Sequence, residues 1–365
     1  MAYYLIWFLW LLGFSFLWKI NRIKTMPAPK TNSPPVSIII PARNEEDNLK
    51  GLLGSLQGQL PADGEIIVAD DHSQDATARV ARQYGARVIS SAELPDGWVG
   101  KTWACWQGAR EAKGEVFVFL DADTFLEPTG LAKLLAGFSE REAFLSIQPY
   151  HQMQKPYEQL SAYFNIIALA GSNAFTILGS RIKPLGGFGP CLVCRRTDYF
   201  NIGGHQKVPG EILENLALGK AFRRAGLEVR CFGGKGILHF RMYPQGFKAM
   251  ADGFIKSFAV GSRAIPLISL ILISAWVSGG MAVTRHLIQS FINFDAVELT
   301  PWVLLDLMYA GQLYGMLFRI GNFNWFTGLF FQIPLLFFIV LFAISSLKTF
   351  ILKKVTWKGR EVRPD

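Results

Sequence analysis

Between Val36 and Leu120 the chain alternates short apolar runs with helix-length segments, and this alternation limits the fold more than any other feature. Val36-Ser37-Ile38-Ile39-Ile40 reads as a buried strand closed by Pro41. Asn44 is placed to cap a helix over 45–56 that carries acidic residues in its first turn. Glu65-Ile66-Ile67-Val68-Ala69 is a second strand ending in Asp70-Asp71, and Asp75 opens a helix to about Tyr84. Arg87-Val88-Ile89 is a third strand, 103–112 is helical, and Val116 to Leu120 is a fourth strand. Strand and helix in this rhythm predict the α/β class, with a parallel sheet covered on both faces. Such sheets bind ligands beyond the carboxyl ends of their strands. Asp71 and the pair Asp121 and Asp123 all stand at such ends.

Asp121-Ala122-Asp123 follows an apolar run of strand length, and residues two apart on an extended chain face the same side. Two carboxylates facing together repel unless a cation lies between them. The fitting cation is Mg²⁺ or Mn²⁺, hard ions shared with substrate phosphates. A buried strand ending in Asp-x-Asp therefore reads as a platform for a nucleoside diphosphate. Surface turns carry the same pattern, so the reading needs support from the rest of the chain.

After Pro128 the pattern becomes mixed. Phe144-Leu145-Ser146-Ile147-Gln148 is another strand, 157–178 an apolar helix, and Gly186-Gly187-Phe188-Gly189-Pro190 a glycine-rich loop. A helix over 211–226 ends in Arg223-Arg224-Ala225-Gly226, a C-terminal stop signal.

Both ends are apolar. Of 365 residues 50% are hydrophobic and 18% charged, with a net charge of +9. Many basic residues flank apolar runs, as do Lys19, Arg22, Lys24, Lys348, Lys353 and Lys354, which fits anionic headgroups and not nucleic acid. The run 3–18 has its positive charge after it and no small-residue cleavage site, so it reads as an anchor and not a signal peptide. Ile265 to Val283, Pro301 to Phe318 and Leu329 to Leu347 are further span candidates, and the segment over 242–262 is either an interfacial helix or a packing helix. The positive-inside rule puts the central domain in the cytoplasm. Three full spans would then carry the basic tail outside, so the stretch 301–318, with Asp306 and Gln312, is expected to be re-entrant or interfacial. The expected organisation is an anchor over 1–24, a proline-rich linker over 25–35, a catalytic domain over 36–241, an interfacial helix over 242–263, membrane or re-entrant helices over 264–347 and a basic tail over 348–365, in a multi-pass protein of the cytoplasmic membrane. Cys105, Cys191, Cys194 and Cys231 are too few and too scattered for a disulfide framework and read as reduced thiols.

Pro41-Ala42-Arg43-Asn44-Glu45-Glu46, then Asp70-Asp71-His72-Ser73-Gln74-Asp75, then Asp121-Ala122-Asp123 resemble, in order, the motifs of family 2 glycosyltransferases of the GT-A fold. Over nearly the whole chain the sequence is similar to the membrane-bound 4,4′-diaponeurosporenoate glycosyltransferases of carotenoid synthesis, in Gly100-Lys101, Phe188-Gly189-Pro190, Gly203-Gly204-His205, Phe240-Arg241-Met242-Tyr243 and Trp357-Lys358-Gly359-Arg360. The resemblance implies UDP-glucose or another UDP-sugar as donor, a divalent metal, and inversion at the sugar carbon. It implies that Pro41, Arg43 and Glu45 line the nucleotide pocket, that Asp71 holds the uridine, that Asp123 with Asp121 holds the metal, and that Lys101 faces the nucleotide or its phosphates. Arg241 stands where related membrane enzymes keep an arginine near the diphosphate and the acceptor. Gly189, Pro190 and His205 are candidates for the acceptor side. Blander readings stand beside these: Glu45 as a helix-dipole partner, Lys101 as a solvated lysine, Arg241 as a snorkelling arginine, His205 as a structural histidine.

The pattern departs at one place. Where many family members have a Glu-Asp pair with the aspartate as base, this chain has Glu214-Asn215. An amide cannot take a proton at neutral pH, which leaves Glu214 as the candidate base. An acceptor that is a carboxylic acid is already ionised at pH 7, so Asn215 is compatible with glycosyl ester formation on a lipid-soluble carotenoid acid. On this reading Asp at position 215 leaves transfer to an acid largely unchanged, and a large gain with that acceptor would contradict it. The alternative acceptor is a hydroxyl lipid: a diacylglycerol, hopanoid or polyprenyl phosphate. An oxidoreductase would need a glycine-rich turn after the first strand, which Pro41-Ala42-Arg43-Asn44 is not; a transporter would need more spans with polar centres. A non-catalytic nucleotide-sugar-binding protein would tolerate loss of the Asp-x-Asp carboxylates, which are intact.

Overall fold

In a computed structural model, which describes residues 2–23, 34–139, 144–211, 213–293, 296–348, 355–357 and 360–362, the chain divides into two units. One comprises Asn21–His151 and Lys183–Arg241; the other comprises Met1–Ile20, Gln152–Ile182 and Met242–Asp365. Residues 152–182, expected within the catalytic domain, thus cluster with the apolar ends. Most of the expected linker lies outside the described residues, as do Lys24, Lys353 and Lys354.

The first unit is built on β1 (Val36–Ala42), β2 (Glu65–Asp70), β3 (Arg87–Ser90) and β4 (Val116–Leu120), with helices α1 (Glu46–Leu56), α2 (Thr77–Gln83) and α3 (Gly100–Glu111). A short β5 (Thr124–Leu126) leads to α4 (Gly130–Ser139). β6 (Phe144–Gln148), β7 (Tyr150–His151), β8 (Cys191–Arg195), α5 (Arg196–Asn201), α6 (Glu214–Arg224), β9 (Val229–Gly233) and β10 (Leu238–Phe240) complete the unit. Seven strands form one sheet in the order β3-β2-β1-β4-β8-β6-β9. β1 pairs in parallel with both β2 and β4, so the alternation read from the sequence holds for this half. β8 then enters antiparallel to β4 and β6, which makes the sheet mixed.

The apolar runs explain the pairing. Ile38, Ile39 and Ile40 are fully buried on alternating faces, at about 1.5–3 kcal/mol of transfer free energy each. Ile38 and Ile40 join Leu49, Leu52 and Leu53 of α1 in one core. On the other face α3 approaches β1 so closely that a Cβ at Gly108 would lie 2.6 Å from Ile39 Cγ2. Pro41 does not close β1; it stays in register opposite Ala69, and the strand runs on to Ala42. A second sheet, in the order β5-β10-β7, follows directly on Asp123.

The second unit is mainly helical, with one antiparallel strand pair over Val355–Trp357 and Arg360–Val362. Its helix Leu267–Ile292 is the one described helix long and apolar enough to cross a membrane. The expected N-terminal span forms a helix only over Ala2–Leu12, then a 3₁₀ turn over Gly13–Ser15; eleven residues rise about 16 Å, short of a hydrocarbon core of about 30 Å. Gln332–Ser346, of 15 residues, is also short. The stretch 301–318, expected to be re-entrant or interfacial, lies in a continuous helix, Ala296–Ile320, with Pro301 inside it. Its polar groups are paired within the unit. Gln332 Nε2 donates to Asp306 Oδ1 at 2.6 Å, and Gln312 accepts from Trp276 Nε1 at 2.8 Å and donates to the Trp10 carbonyl at 3.0 Å. The expected apolar helix over 157–178 is a 3₁₀ segment, Pro156–Ser161, followed by a helix over Ala162–Gly171. The helix Phe247–Ser262 buries Met250 and Phe254 and stacks Phe254 on Phe164 at 3.9 Å, so its apolar face serves packing. Among the described residues, large exposed apolar side chains belong to this unit with the single exception of Leu213.

Candidate active site

β2, β1 and β4 are neighbours and parallel, so the residues that follow them line one edge of the sheet. β8 runs the other way, with Cys191 opposite Leu120, so the residues before it, Gly189 and Pro190, reach the same edge. The Asp121 amide donates to the Pro190 carbonyl at 2.9 Å and joins the two segments.

The loops after β1 and β2 clasp each other. Asn44 Oδ1 accepts from the Gln74 amide at 2.8 Å, and the Asn44 amide donates to Ser73 Oγ at 2.9 Å. Glu46 Oε2 accepts from the Ala76 amide at 3.2 Å, and Asp75 Oδ2 accepts from the Glu46 amide at 3.1 Å. Asn44 and His72 both take a φ of 55°, a left-handed conformation that asparagine tolerates better than most residues. Asn44 therefore ties two loops together and does not cap α1. The clasp fixes Arg43 and Asp71, which pair at 3.1 Å with the Asp71 side chain 10% exposed. Gly100 stands against the same carboxylate: a Cβ there would lie 2.5 Å from Asp71 Oδ2. Glu45, at the same edge, accepts from Asn48 Nδ2 at 2.7 Å.

Lys101 begins α3, Asp121 ends β4 and Glu214 begins α6, and the three meet. Lys101 Nζ lies 2.7 Å from Asp121 Oδ1, 2.9 Å from Asp121 Oδ2 and 2.7 Å from Glu214 Oε1. Burial works against the ammonium charge, but the Asp121 and Glu214 carboxylates outweigh it and hold Lys101 well above the ordinary lysine value. The backbone supports this meeting. The Val99 amide and Thr102 Oγ1 both donate to the Pro209 carbonyl, at 2.8 and 2.6 Å, tying the start of α3 to the loop before α6.

Asp123 completes the pair with Asp121. Its Oδ1 is buried with no hydrogen-bond partner. Burial first, and then the Asp121 carboxylate, push its carboxyl up to about 7 against the pull of Lys101. A buried carboxylate oxygen that no protein group partners is suited to a cation. No group of three or more His, Cys, Asp or Glu side chains converges on a metal position among the described residues. Asp121 and Asp123 thus fit a divalent ion that takes its remaining oxygens from a diphosphate.

Asn215 donates through Nδ2 to the Gly189 carbonyl and, at 3.3 Å, to Glu214 Oε1. Arg241 follows β10 directly, and because Phe240 pairs with Thr124 it leaves that ladder at the Asp123 end. His205 is enclosed instead of lining an opening. Its ring is buried, shares a 2.8 Å hydrogen bond with the Tyr199 hydroxyl, and packs 5.1 Å from Phe119. Burial depresses it to about 3, so it is a structural histidine. All four cysteines are buried free thiols. The Lys101–Glu214 pair joins residues far apart in sequence, and no local pattern signals it. Gly100, conspicuous only as the residue before Lys101, proves to be the position that leaves room for the Asp71 carboxylate.

The model of glycosyl transferase family 2 matches residues 37–200. The chain is 36% identical over 331 residues to the 4,4′-diaponeurosporenoate glycosyltransferase of Staphylococcus haemolyticus (strain JCSC1435), covering 89% of this chain and 88% of that one. It is 35% identical over 335 residues to the protein of the same name from Staphylococcus aureus (strain USA300), covering 90% and 88%. Among solved structures, the mannosyltransferase PcManGT from Pyrobaculum calidifontis, in complex with GDP-Man and Mn²⁺, overlays with a TM-score of 0.53 at 16% identity, covering 97% of this chain and 100% of that one. At that identity the likeness is one of fold.

Proposed function

Because the chain belongs to glycosyltransferase family 2, we propose that it transfers a hexose, glucose in the first instance, from a UDP-sugar to the carboxyl group of a carotenoid acid such as 4,4′-diaponeurosporenoate. The product is a glycosyl ester, formed with inversion at the sugar carbon. The observation that carries this reading is the meeting of Lys101, Asp121 and Glu214, with the buried, unpartnered Asp123 Oδ1 two residues on from Asp121 and the Arg43-paired Asp71 on the same sheet edge.

The roles follow from position. Asp71, held by Arg43 and Gly100, presents a carboxylate to the donor's uracil, whose N–H can donate to it. Asp121 and Asp123 would hold the divalent ion, which supplies positive charge to the leaving diphosphate. Lys101 lies within reach of the same diphosphate and supplies a second positive charge where negative charge develops. Arg241 contributes another cation from the Asp123 end. An acceptor carboxylate oxygen forms a bond to the sugar carbon; the bond from that carbon to the diphosphate oxygen breaks, and its electron pair leaves with UDP. No proton need move.

The exposed apolar surface of the helical unit, with the helix Leu267–Ile292, supports association with a membrane from which a lipid-soluble acceptor can be drawn. The first unit would face the cytoplasm, where UDP-sugars are available. Membranes containing the protein, supplied with UDP-[¹⁴C]glucose, Mn²⁺ and the carotenoid acid, test the reading: label is expected in the lipid fraction and is expected to vanish with Asp123→Ala. Label that stays in the aqueous phase with every acceptor would overturn it.

A further inference from the structure

The loop over 186–190 is pressed onto the first turns of α6. A Cβ at Gly186 would collide with the Leu216 carbonyl, and one at Gly219 would lie 2.5 Å from the Gly187 amide. The Gly187 amide donates to the Asn215 carbonyl at 3.1 Å. On the other side of the loop, Ser146 Oγ accepts from the Phe188 amide at 2.8 Å and donates to the Cys191 carbonyl at 3.0 Å. The loop ends at Pro190, whose carbonyl takes the Asp121 amide. It is therefore the backbone link between the Asp-x-Asp segment and the helix that carries Glu214. One side chain closes this link: Asn215 Nδ2, shared between the Gly189 carbonyl and Glu214 Oε1. Both partners are acceptors, so only a donor fits between them. Asn215 Oδ1, buried and without a partner, sits on the far side of the amide.

We propose that Asn215 is a positioning residue whose side-chain amide spends both of its N–H groups locking the 186–190 loop and the Glu214 carboxylate in place, so that position 215 carries no group able to take a proton. An acceptor with a hydroxyl finds no base here: Glu214 is held by Lys101 and Asn215 is an amide. An acceptor that arrives as an anion needs none. The inference rests on the ester-forming reading for its acceptor class, but the role of the amide stands on the hydrogen bonds alone. A carboxylate at 215 would face the Gly189 carbonyl oxygen and Glu214, with Lys101 beyond Glu214 and the buried Cys231 thiol behind Gly186. Only when protonated could it donate to the carbonyl as the amide does.

The test compares wild type, Asn215→Asp and Asn215→Ala between pH 6 and 8.5. Transfer from a UDP-sugar is followed to the carotenoid acid, to a diacylglycerol and to water, with KM for the donor measured in parallel. For whichever acceptor the wild type uses, kcat of N215D relative to wild type is expected to fall about tenfold or more at pH 8.5 and to recover toward pH 6. The two hydrogen bonds of the amide thus replace the expectation from sequence that an aspartate here leaves transfer to an acid largely unchanged, and a ratio near one at every pH would overturn the proposal. N215A is expected to fall without a pH trend, and the donor KM of both variants to stay within about threefold of wild type, which shows that the site is folded. A ratio for N215D above one that grows with pH would mean that a base had been restored, and would overturn the proposal. So would N215A matching wild type. Use of diacylglycerol and not the acid by the wild type would overturn the acceptor assignment while leaving the pH trend to decide the role of Asn215.

Discussion

Lys101 and Glu214, 113 positions apart in the sequence, stand 2.7 Å from each other, and the same ammonium lies 2.7 Å from Asp121. The pair joins the helix after β3 to the helix before β9 across the carboxyl edge of the sheet. Glu214, the candidate base, is the buried partner of a cation.

Lys101→Ala is expected to lower kcat for transfer by about 100-fold, the scale of losing one preorganised charge at a leaving group. It should also destabilise the donor-free protein by about 2 kcal/mol, because Glu214 would be left buried without its cation; Lys101 is itself a third exposed, which holds the figure below that of a fully buried pair. Lys101→Arg keeps the charge and should recover part of both. Steady-state kinetics and chemical denaturation read the two effects separately.

Asp123 makes the metal-free protein sensitive to pH. Burial and the neighbouring Asp121 raise its carboxyl from 3.8 to about 7. Between those values the folded state holds a proton that the unfolded chain has released, so stability without metal falls as pH rises through that window. Metal binding requires the proton to leave, so Mn²⁺ affinity should fall about tenfold per pH unit below 7 and level off above it. Asp123→Asn is expected to abolish transfer yet raise the melting temperature at pH 8 without metal, with a smaller gain at pH 5. Calorimetric Mn²⁺ titrations and thermal melts at those pH values check both.

Gly100→Ala tests how Asp71 is seated. The added Cβ would stand 2.5 Å from a carboxylate oxygen already taken by Arg43, so Asp71 must turn away. A rise of about tenfold in the donor KM is expected, about 1.4 kcal/mol of lost binding. Transfer from saturating donor should change less.

Tyr199→Phe separates structure from chemistry. The Tyr199 hydroxyl bonds the His205 ring at 2.8 Å and accepts from the His205 amide at 3.1 Å, both buried. Its loss should cost about 1–3 kcal/mol of stability and leave the acceptor KM unchanged. Denaturant titration with parallel kinetics would show this.

The sheet was legible where its strands are fully buried. Ile38–Ile40, Ile66–Val68 and Val116–Leu120 announce themselves as apolar runs, and their order with the intervening helices determines a parallel arrangement. Residues such as Thr124–Leu126 and Leu238–Phe240 form three-residue strands only because each finds the other, and no window of that length carries a period. Asn44 was legible as special but not for its role: a cap and a loop clasp use the same side chain, and only the partner loop over 73–76 decides. The apolar ends were read as spans from hydropathy, and among the described residues the structure gives one helix both long and apolar enough to cross a membrane, with shorter or more polar ones packed together. Buried packing helices and membrane helices have the same composition. The placement of Asp71, Asp121 and Asp123 along one edge was legible because each follows a strand of one parallel set. The Lys101–Glu214 pair and the Asn215–Gly189 bond were not, since each depends on a contact across the fold.

The central claim is the class of bond made, and the alkali lability of the purified lipid product tests it most directly. After incubation with UDP-[¹⁴C]glucose and the carotenoid acid, mild base should release the label as free sugar within the time that hydrolyses a glycosyl ester, and the carotenoid should return to its acid form. A labelled lipid that survives the same treatment would be a glycoside of a hydroxyl acceptor, and would contradict the account.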